Sequence, residues 1–315
     1  MRVLVTGGSG IVGHYVIDEI YKAGHEVVNA DIVRMGDMSH SGTSGRGGTA
    51  SRDVAIQMRQ DWPRLPKFFE VDVTDYGKVI SAMDGCDAVI HLAACPSAAN
   101  YTEEFVFFTN TTSIWNICRA AEQLGVKKVA LGSSYNSIGA MGTAARWRPR
   151  EVKPPAYFPI DDKQGTRSED PYSVAKWVGE HVGDAFARRT PDMAIASMRF
   201  NGMWDDLKFR DLRKNPVSDP YERCQGFWTY LHIRDAGRAC RMSIESDGWT
   251  GHERVFLNAK DTMTTVPTME AIRTVYPNVP LRREFEGHEA PILTDRAKAL
   301  FDWEPLYSWR DDRFA

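Results

Sequence analysis

A glycine-rich turn between a short strand and an amphipathic helix constrains this 315-residue chain more than any other feature. The β-branched run Val3 to Thr6 leads into Gly7-Gly8-Ser9-Gly10-Ile11-Val12-Gly13, and apolar residues at helical spacing follow. Glycines in such a turn allow close approach of the backbone to a pyrophosphate, and the helix N-terminus offers N–H groups to the anion. The segment therefore predicts the start of a dinucleotide-binding βαβ unit, with a plain glycine turn as the alternative.

Short β-branched runs alternate with longer amphipathic stretches over the first two thirds of the chain. The predicted strands are Val3 to Thr6, Val27 to Ala30, Phe68 to Val71, Ala88 to His91, Val129 to Leu131 and Ala194 to Met198. The predicted helices are Ile11 to Ala23, Val79 to Met83, Glu103 to Leu124 and Tyr172 to Arg188. This alternation predicts an α/β Rossmann fold, a doubly wound parallel sheet with helices on both faces.

The alternation weakens after Arg199. We therefore expect residues 1–198 to form the dinucleotide-binding domain, which also carries the candidate catalytic residues introduced below. Residues 199–315 are expected to form a smaller C-terminal lobe for the substrate, over the carboxyl ends of the strands. Within that lobe, Asp235 is interpreted as an acid at a helix N-terminus. Trp204, Trp228 and Trp309 are interpreted as packing residues, with a wall of the substrate pocket as the alternative.

Composition argues against several other classes of protein. A net charge of −3 and the lack of a Lys/Arg-rich run disfavour nucleic-acid binding. No apolar run is long enough to span a bilayer, and no leader pattern follows Met1, so we expect a cytoplasmic protein. The five scattered cysteines and eight histidines form neither a CxxC nor an HExxH pattern, so no disulfide framework and no metal site is predicted.

Asp31 ends the second predicted strand, eighteen positions after Gly13. A carboxylate there can accept hydrogen bonds from the adenosine ribose and repel a 2′-phosphate, which favours NAD over NADP. Arg34 could instead meet a 2′-phosphate, and Asp31 could merely cap the following turn. Gly36 to Ser51 is interpreted as a surface loop, with a flap over the adenosine as the alternative, and Met141 to Pro159 is expected to border the substrate.

Pro171-Tyr172-Ser173-Val174-Ala175-Lys176 places a phenol and an ammonium four residues apart at the start of a predicted helix. The two side chains therefore share one helix face. A free phenol has a pKa of about 10, and a nearby ammonium favours its ionised form. Taken alone, this spacing is more often a solvated helix face.

The Tyr/Lys pair is accompanied by further motifs in a fixed order. They are Thr6 to Gly13, Asp72-Val73-Thr74-Asp75, His91-Leu92-Ala93-Ala94, Gly132-Ser133-Ser134, Thr294-Asp295-Arg296-Ala297-Lys298 and Trp303-Glu304-Pro305. Together they resemble the extended short-chain dehydrogenase/reductase family, also named the NAD-dependent epimerase/dehydratase family, over most of the chain. The resemblance implies an NAD-dependent enzyme that transfers a hydride to or from a hydroxyl-bearing carbon.

The resemblance also implies a role for each matching residue. The expected cofactor-binding residues are Gly7, Gly10, Ile11, Val12, Gly13, Asp31, Asp72, Val73, Leu92, Ala93, Ala94, Asn110, Tyr172 and Lys176. Ser134, Tyr172 and Lys176 are the expected catalytic residues. Ser134 would bond the reacting oxygen, Tyr172 would be the acid/base, and Lys176 would hold the nicotinamide ribose.

The resemblance further specifies what Asp72, Asn110 and Ser134 would do. Asp72 and Val73 would contact the adenine, but Asp72 is equally well explained as a turn residue. Asn110 would steady the central helix. Ser133 replaces Ser134 if the register is shifted by one residue.

The substrate is expected to be a sugar or sugar acid. Arg199-Phe200-Asn201 is followed by a short charged stretch, Asp205 to Arg223, which departs from nucleotide-sugar members and is similar to the uronate-dehydrogenase-like branch. The expected substrate contacts are Ser134, Tyr135, Asn136 and Asn201, with Tyr135 and Asn136 alternatively forming only a turn.

Other activities and assembly follow from the same resemblance. A UDP-sugar epimerase that retains NAD is the alternative activity. A non-catalytic NAD-binding protein is less favoured because the Ser/Tyr/Lys set is intact, and dehydration is disfavoured because Tyr135 and Asn136 stand where a dehydratase has an acid. The family commonly dimerises through the helices that here carry Trp115 and Trp177, so a homodimer is expected.

Overall fold

The computed structural model describes residues 1–35, 57–96, 101–139 and 154–314. Its strands are β1 (Arg2–Thr6), β2 (Glu26–Asp31), β3 (Lys67–Glu70), β4 (Ala88–His91), β5 (Lys128–Ser134), β6 (Ala194–Phe200), β7 (Met203–Trp204), β8 (Leu231–His232) and β9 (Gly251–Leu257). Its helices are α1 (Ile11–Lys22), α2 (Tyr76–Met83), α3 (Glu103–Leu124), α4 (Pro171–Arg189), α5 (Asp206–Lys214), α6 (Ile233–Glu245), α7 (Thr268–Val275) and α8 (Asp295–Phe301). The loop expected at Gly36 to Ser51, and residues 141–153 of the segment expected to border the substrate, lie outside the described residues.

Seven strands form one parallel sheet in the order β3-β2-β1-β4-β5-β6-β9. The order reverses beside β1, which pairs with β2 on one side and β4 on the other. Ligands of open α/β sheets bind at such a reversal, outside the carboxyl ends of the strands. The sheet confirms the predicted Rossmann fold and brings the predicted motifs to the same edge.

Helices cover both faces of the sheet because its strands bury side chains in both directions. Val3 and Val5 of β1 belong to the cluster that α1, α6 and α8 complete. Leu4, which points the other way, belongs to the cluster that α2, α3 and α4 complete. The central strands are therefore fully buried, and their ends are held at fixed positions.

A third apolar cluster lies in the smaller lobe and takes residues from both parts of the chain. Phe158 and Tyr135 pack there with Phe209, Trp228 and Tyr276. Conversely, β9 and α6, which follow residue 198, belong to the sheet layer. The division into residues 1–198 and 199–315 therefore stays a prediction, with segments that return across it in both directions.

Asp235 lies in the first turn of α6 and is fully buried, which confirms its interpretation as a helix N-terminal acid. Its carboxylate accepts hydrogen bonds from the backbone N–H groups of Leu306 and Tyr307 and from Arg238. The same acid thus anchors the C-terminal segment. Trp228 and Trp309 are buried in the third cluster, as expected for packing residues.

Candidate active site

The glycine turn is too close-packed to accept side chains. Gly7 has φ +71°, and a Cβ there would lie 2.7 Å from the backbone nitrogen of Ala93. A Cβ on Gly13 would lie 2.4 Å from the carbonyl oxygen of Gly7. Helix α1 begins after Gly10 with no side-chain cap, so its first N–H groups face the turn without a competing side-chain acceptor. This cradle fits the pyrophosphate of a dinucleotide.

Asp31 holds the glycine turn from the end of β2. Its Oδ2 accepts a hydrogen bond of 3.0 Å from the Ser9 N–H, and its Oδ1 accepts one of 3.4 Å from the Val33 N–H. Burial raises the pKa of this carboxyl group. The turn-capping contact is therefore present, and it leaves the ribose contact as a prediction. The Arg34 guanidinium lies 5.2 Å over the Phe68 ring.

A buried histidine joins the ends of β1 and β4 to the central helix α3. His91 Nδ1 lies 2.7 Å from Thr6 Oγ1, and its Nε2 lies 3.2 Å from Ser113 Oγ. Burial lowers the pKa of His91 to about 3, so its ring is neutral at physiological pH. Beyond it, the Leu92 N–H donates to the Thr6 carbonyl, which fixes the start of the Leu92 to Ala94 segment against the glycine turn.

Two buried asparagines of α3 hold the loops that leave the sheet. Asn110 accepts a hydrogen bond of 2.8 Å from the Cys95 N–H and donates one of 3.1 Å to the Cys95 carbonyl. Asn116 donates to the carbonyls of Val73 and Thr74, at 3.1 and 2.9 Å. The sequence interpretation missed Asn116, although a polar residue among the apolar positions of a helix is a signal for such a role.

Asp72 forms the turn after β3. Its Oδ1 accepts hydrogen bonds from the Thr74 N–H and hydroxyl, at 2.9 and 2.7 Å. Asp72 itself is exposed, whereas Val73 is buried in the core. The alternative interpretation as a turn residue thus has direct geometric support, and the adenine contact stays a prediction.

The two serines at the end of β5 have different partners. Ser133 Oγ donates a hydrogen bond of 2.7 Å to Glu180 Oε1. Ser134 Oγ accepts one of 3.1 Å from the Asn136 N–H, which leaves its hydroxyl hydrogen able to be donated to a substrate oxygen. Successive residues of a strand face opposite sides, so only one of the pair can serve the site. The geometry favours Ser134.

Helix α4 presents the Tyr/Lys pair at its first turns. Asp170 starts the helix by accepting hydrogen bonds from the Tyr172 and Ser173 N–H groups, both at 3.0 Å, and Pro171 fits the first helical position. Lys176 Nζ lies 5.6 Å from the centroid of the Tyr172 ring. The predicted neighbourhood of phenol and ammonium is therefore confirmed.

Lys176 is 6% exposed, and its Nζ donates a hydrogen bond of 2.5 Å to the Gly132 carbonyl. Burial lowers the pKa of this lysine to about 8, while the nearby Cys95 and Glu180 act in the opposite direction. Gly132 is two residues before Ser134, so the contact connects the helix of Tyr172 to the strand of Ser134. The three expected catalytic residues thus lie on two directly bonded elements.

A short 3-10 helix, Tyr135–Ile138, follows Ser134 and is buried. Asn136 Oδ1, Ser137 Oγ and Ser173 Oγ have no hydrogen-bond partner among the described residues. Buried polar atoms normally have partners, so these three atoms are exceptions among the described residues.

Asn201 lies just after β6, and its amide is already bonded. Its Oδ1 accepts from the Gly202 N–H at 2.9 Å, and its Nδ2 donates to Thr229 Oγ1 at 2.5 Å. These contacts shape the connection between β6 and the smaller lobe. The substrate role expected for Asn201 stays a prediction.

The described residues offer neither a metal-binding cluster nor a membrane-spanning helix. Within the described ranges, no group of three His, Cys, Asp or Glu side chains could hold a metal ion. In that same part of the chain, no helix has the length and hydropathy needed to cross a membrane. All five cysteines are free and buried.

Comparison with known proteins places these features in a family. Residues 3–202 match the model of the NAD dependent epimerase/dehydratase family. An NAD-dependent glucose-6-phosphate dehydrogenase of Haloferax volcanii is 31% identical over 179 residues, which are 57% of this chain and 63% of that protein. A UDP-glucose 4-epimerase of Bacillus subtilis is 24% identical over 204 residues, 64% of this chain and 52% of that protein. The chain thus matches between about half and two thirds of the length of these relatives.

A solved structure extends the likeness in fold to nearly the whole chain. The UDP-glucose 4-epimerase from Bifidobacterium longum, in complex with NAD+ and UDP, aligns with a TM-score of 0.68 at 16% identity. The alignment covers 99% of this chain and 95% of that one. The smaller lobe therefore shares the overall arrangement of that protein as well.

Proposed function

The chain belongs to the NAD dependent epimerase/dehydratase family, and on that premise we propose that it is an NAD-dependent oxidoreductase acting on a sugar or sugar acid. It moves a hydride between a hydroxyl-bearing carbon and the nicotinamide. The observation that carries the proposal is the Lys176 contact with Gly132, which joins the helix of Tyr172 to the strand of Ser134. NAD, when bound, supplies the hydride acceptor.

The chain's own residues handle the proton and the orientation of the substrate. Ser134 donates its hydroxyl hydrogen to the reacting oxygen and so orients it. In the oxidation direction, Tyr172 takes the proton from the substrate hydroxyl. Lys176 stabilises the phenolate form of Tyr172 by its charge and holds the nicotinamide ribose. Gly7 to Gly13 and Asp31 hold the pyrophosphate and adenosine ribose.

A free sugar or sugar acid is the substrate class that we favour. The buried Asn136 Oδ1 lies two residues after Ser134 and has no partner in the described part of the chain, so it offers an acceptor to a neighbouring sugar hydroxyl. Tyr135 and Asn201 border the same strand ends. The Haloferax volcanii relative, whose name gives glucose 6-phosphate as its substrate, supports a sugar substrate without a nucleotide.

A UDP-sugar epimerase is the second candidate. It uses the same hydride step and returns the hydride to the opposite face of the sugar, so NAD is regenerated within each cycle. The Bacillus subtilis relative and the Bifidobacterium longum structure, both named as UDP-glucose 4-epimerases, support it. A non-catalytic NAD-binding protein is disfavoured by the complete Ser134, Tyr172 and Lys176 set.

A substrate screen separates these candidates. The purified protein is incubated with NAD and, in turn, with aldoses, hexose phosphates, uronic acids and UDP-sugars. NADH absorbance and sugar isomer composition are followed separately. Net NADH from a sugar that carries no nucleotide supports the dehydrogenase. Isomerisation of a UDP-sugar without net NADH supports the epimerase, and neither product with any of these compounds contradicts both proposals.

A homodimer and a cytoplasmic location complete the proposal. Helices α3 and α4 pack together, and their outward side chains include Phe105, Phe108, Trp115 and Trp177, which are 36% to 58% exposed. Such an apolar face favours a partner copy. A dimer mass in light scattering that Phe108→Glu converts to a monomer mass supports this face, and a wild-type monomer contradicts it. Five free cysteines are typical of a reducing compartment.

A further inference from the structure

Helix α4 carries four polar side chains at intervals of four residues: Tyr172, Lys176, Glu180 and Asp184. Residues at this interval lie on one face of a helix. The first two belong to the candidate active site. Glu180 is only 1% exposed and lies one turn beyond Lys176, between the helix and the sheet. The proposed chemistry has so far given Glu180 no role.

Glu180 is bonded to three neighbouring strands of the sheet. Its Oε1 accepts hydrogen bonds from Ser133 Oγ of β5 at 2.7 Å and from Arg199 Nε of β6 at 2.9 Å. Its Oε2 accepts from Arg199 Nη2 at 2.8 Å and from Arg254 Nε of β9 at 3.2 Å. Burial alone would raise the pKa of Glu180, but the contacts with Arg199, Ser133 and Arg254 together outweigh burial and lower it, so the group is a carboxylate.

These contacts determine how the helix sits on β5. Lys176 bonds the carbonyl of Gly132, and Glu180 bonds the hydroxyl of the next residue, Ser133. The residue after that is Ser134, which faces the site. Two consecutive turns of the helix are therefore attached to two consecutive residues of the strand. A shift of the helix along the strand would break both contacts and move Tyr172 away from Ser134.

We propose that Glu180 is a positioning residue for hydride transfer, which fixes the helix of Tyr172 and Lys176 against the strand of Ser134. The inference rests on the roles proposed above for Tyr172 and Lys176. Glu180 also acts through its charge, because it is the buried carboxylate beside the Lys176 ammonium. Among the described residues, the Tyr172 phenol, the Cys95 thiol and the neutral His91 also lie near Lys176.

Removing the charge of Glu180 has a specific electrostatic consequence. Lys176 would lose the neighbouring carboxylate that favours its charged form, while Asp184 would stay paired to Arg254. Without an opposite charge nearby, the ammonium form of a buried lysine is less favoured. Lys176 in Glu180→Gln is therefore expected to lose its proton at lower pH than in the wild type.

The test measures the dissociation constant of NAD by quenching of tryptophan fluorescence. The measurements run from about pH 6 to about pH 10, the range over which Lys176 should lose its proton. In the wild type the constant should rise above about pH 8 as Lys176 loses its charge. In Glu180→Gln the dissociation constant should begin to rise at a pH about one unit lower than in the wild type. Lys176→Met should abolish the rise and so assign it to this lysine.

Two further variants separate positioning from stability. Asp184→Asn removes the next carboxylate along helix α4. Asp184 pairs with His252 and Arg254 but with no residue of β5. It should lower the melting temperature without moving the pH at which NAD binding weakens. Ser133→Ala keeps every charge, removes one Glu180 contact, and should lower kcat about tenfold without that pH shift.

The outcomes distinguish this inference from the proposed function. If Glu180→Gln keeps the wild-type pH dependence, or if Ser133→Ala keeps the wild-type kcat where Tyr172→Phe is inactive, Glu180 does not position the site. If Glu180→Gln does not fold, Ser133→Ala alone decides in the same way. If Tyr172→Phe retains turnover, the proposed function fails first, whatever the Glu180 variants show.

Discussion

The Lys176 ammonium donates a hydrogen bond of 2.5 Å to the carbonyl oxygen of Gly132. This single contact joins α4 to β5 at the carboxyl edge of the sheet, close to the point where the strand order reverses. It also explains why a lysine tolerates a position that is only 6% exposed. A buried charge remains costly even when it is bonded, and that cost can be measured.

We compare the stability of Lys176→Met with that of the wild type, both without cofactor. The stability of the variant relative to the wild type should be greater below pH 8 than at high pH. The folded pKa of Lys176, about 8, lies below its ordinary value of 10.5. The folded state therefore binds fewer protons than the unfolded state between these values, and wild-type stability rises with pH in this window. The difference in free energy of unfolding should shrink by about 3 kcal/mol on going from pH 7 to pH 10.5.

Urea denaturation of both proteins at neutral and alkaline pH measures that difference. Other titrating groups contribute equally to the stability of the two proteins, so their contributions cancel. Curves of stability against pH that run parallel would contradict a buried, charged Lys176. The same variant should lose turnover, so stability and activity change in opposite directions.

Gly13→Ala should weaken NAD binding and destabilise the protein by about 1–3 kcal/mol or more, since its Cβ would lie 2.4 Å from the Gly7 carbonyl oxygen. Gly165→Ala is the matched control, because a Cβ there meets nothing within 4 Å. Fluorescence titration with NAD and thermal unfolding measure both effects. Equal behaviour of the two variants would show that the glycine turn does not approach a ligand closely.

Asp31→Ala should reduce the preference for NAD over NADP at least about tenfold, or about 1.4 kcal/mol, because the carboxylate no longer repels a 2′-phosphate. Some loss of affinity for both cofactors should accompany it, since Asp31 also holds the Ser9 N–H. The ratio of kcat/KM for the two cofactors isolates the first effect from the second. Asp75→Ala, which removes the cap of α2, is the control and should leave that ratio unchanged.

The central strands and helices could be predicted from the sequence because their apolar periodicity is undisturbed. Strand β9 could not, although it extends the same sheet. Its first residues include His252 and Arg254, which are polar in sequence but pair with carboxylates of α4. Partners so distant along the chain are invisible to a periodicity argument.

The site was predictable to the same extent. The spacing of Tyr172 and Lys176 sufficed to place them on one face, whereas the choice between Ser133 and Ser134 required knowing that Glu180 takes the first hydroxyl. A signal for Glu180 was nevertheless present, four residues after Lys176 on the same helix. The substrate contacts depend on segments brought together by the fold, so Tyr135, Asn136 and Asn201 remain predictions.

The most direct test of the account is turnover of Tyr172→Phe with the sugar that gives product in the wild-type screen. Removing one hydroxyl should leave NAD affinity within about twofold of the wild type and lower kcat at least about 100-fold, the lower range for loss of a general acid/base. Tyr221→Phe, which removes a phenol hydroxyl from an exposed position of the smaller lobe, is the control and should retain NAD affinity and turnover. Wild-type kcat in Tyr172→Phe would contradict the assignment of Tyr172 as the acid/base of hydride transfer.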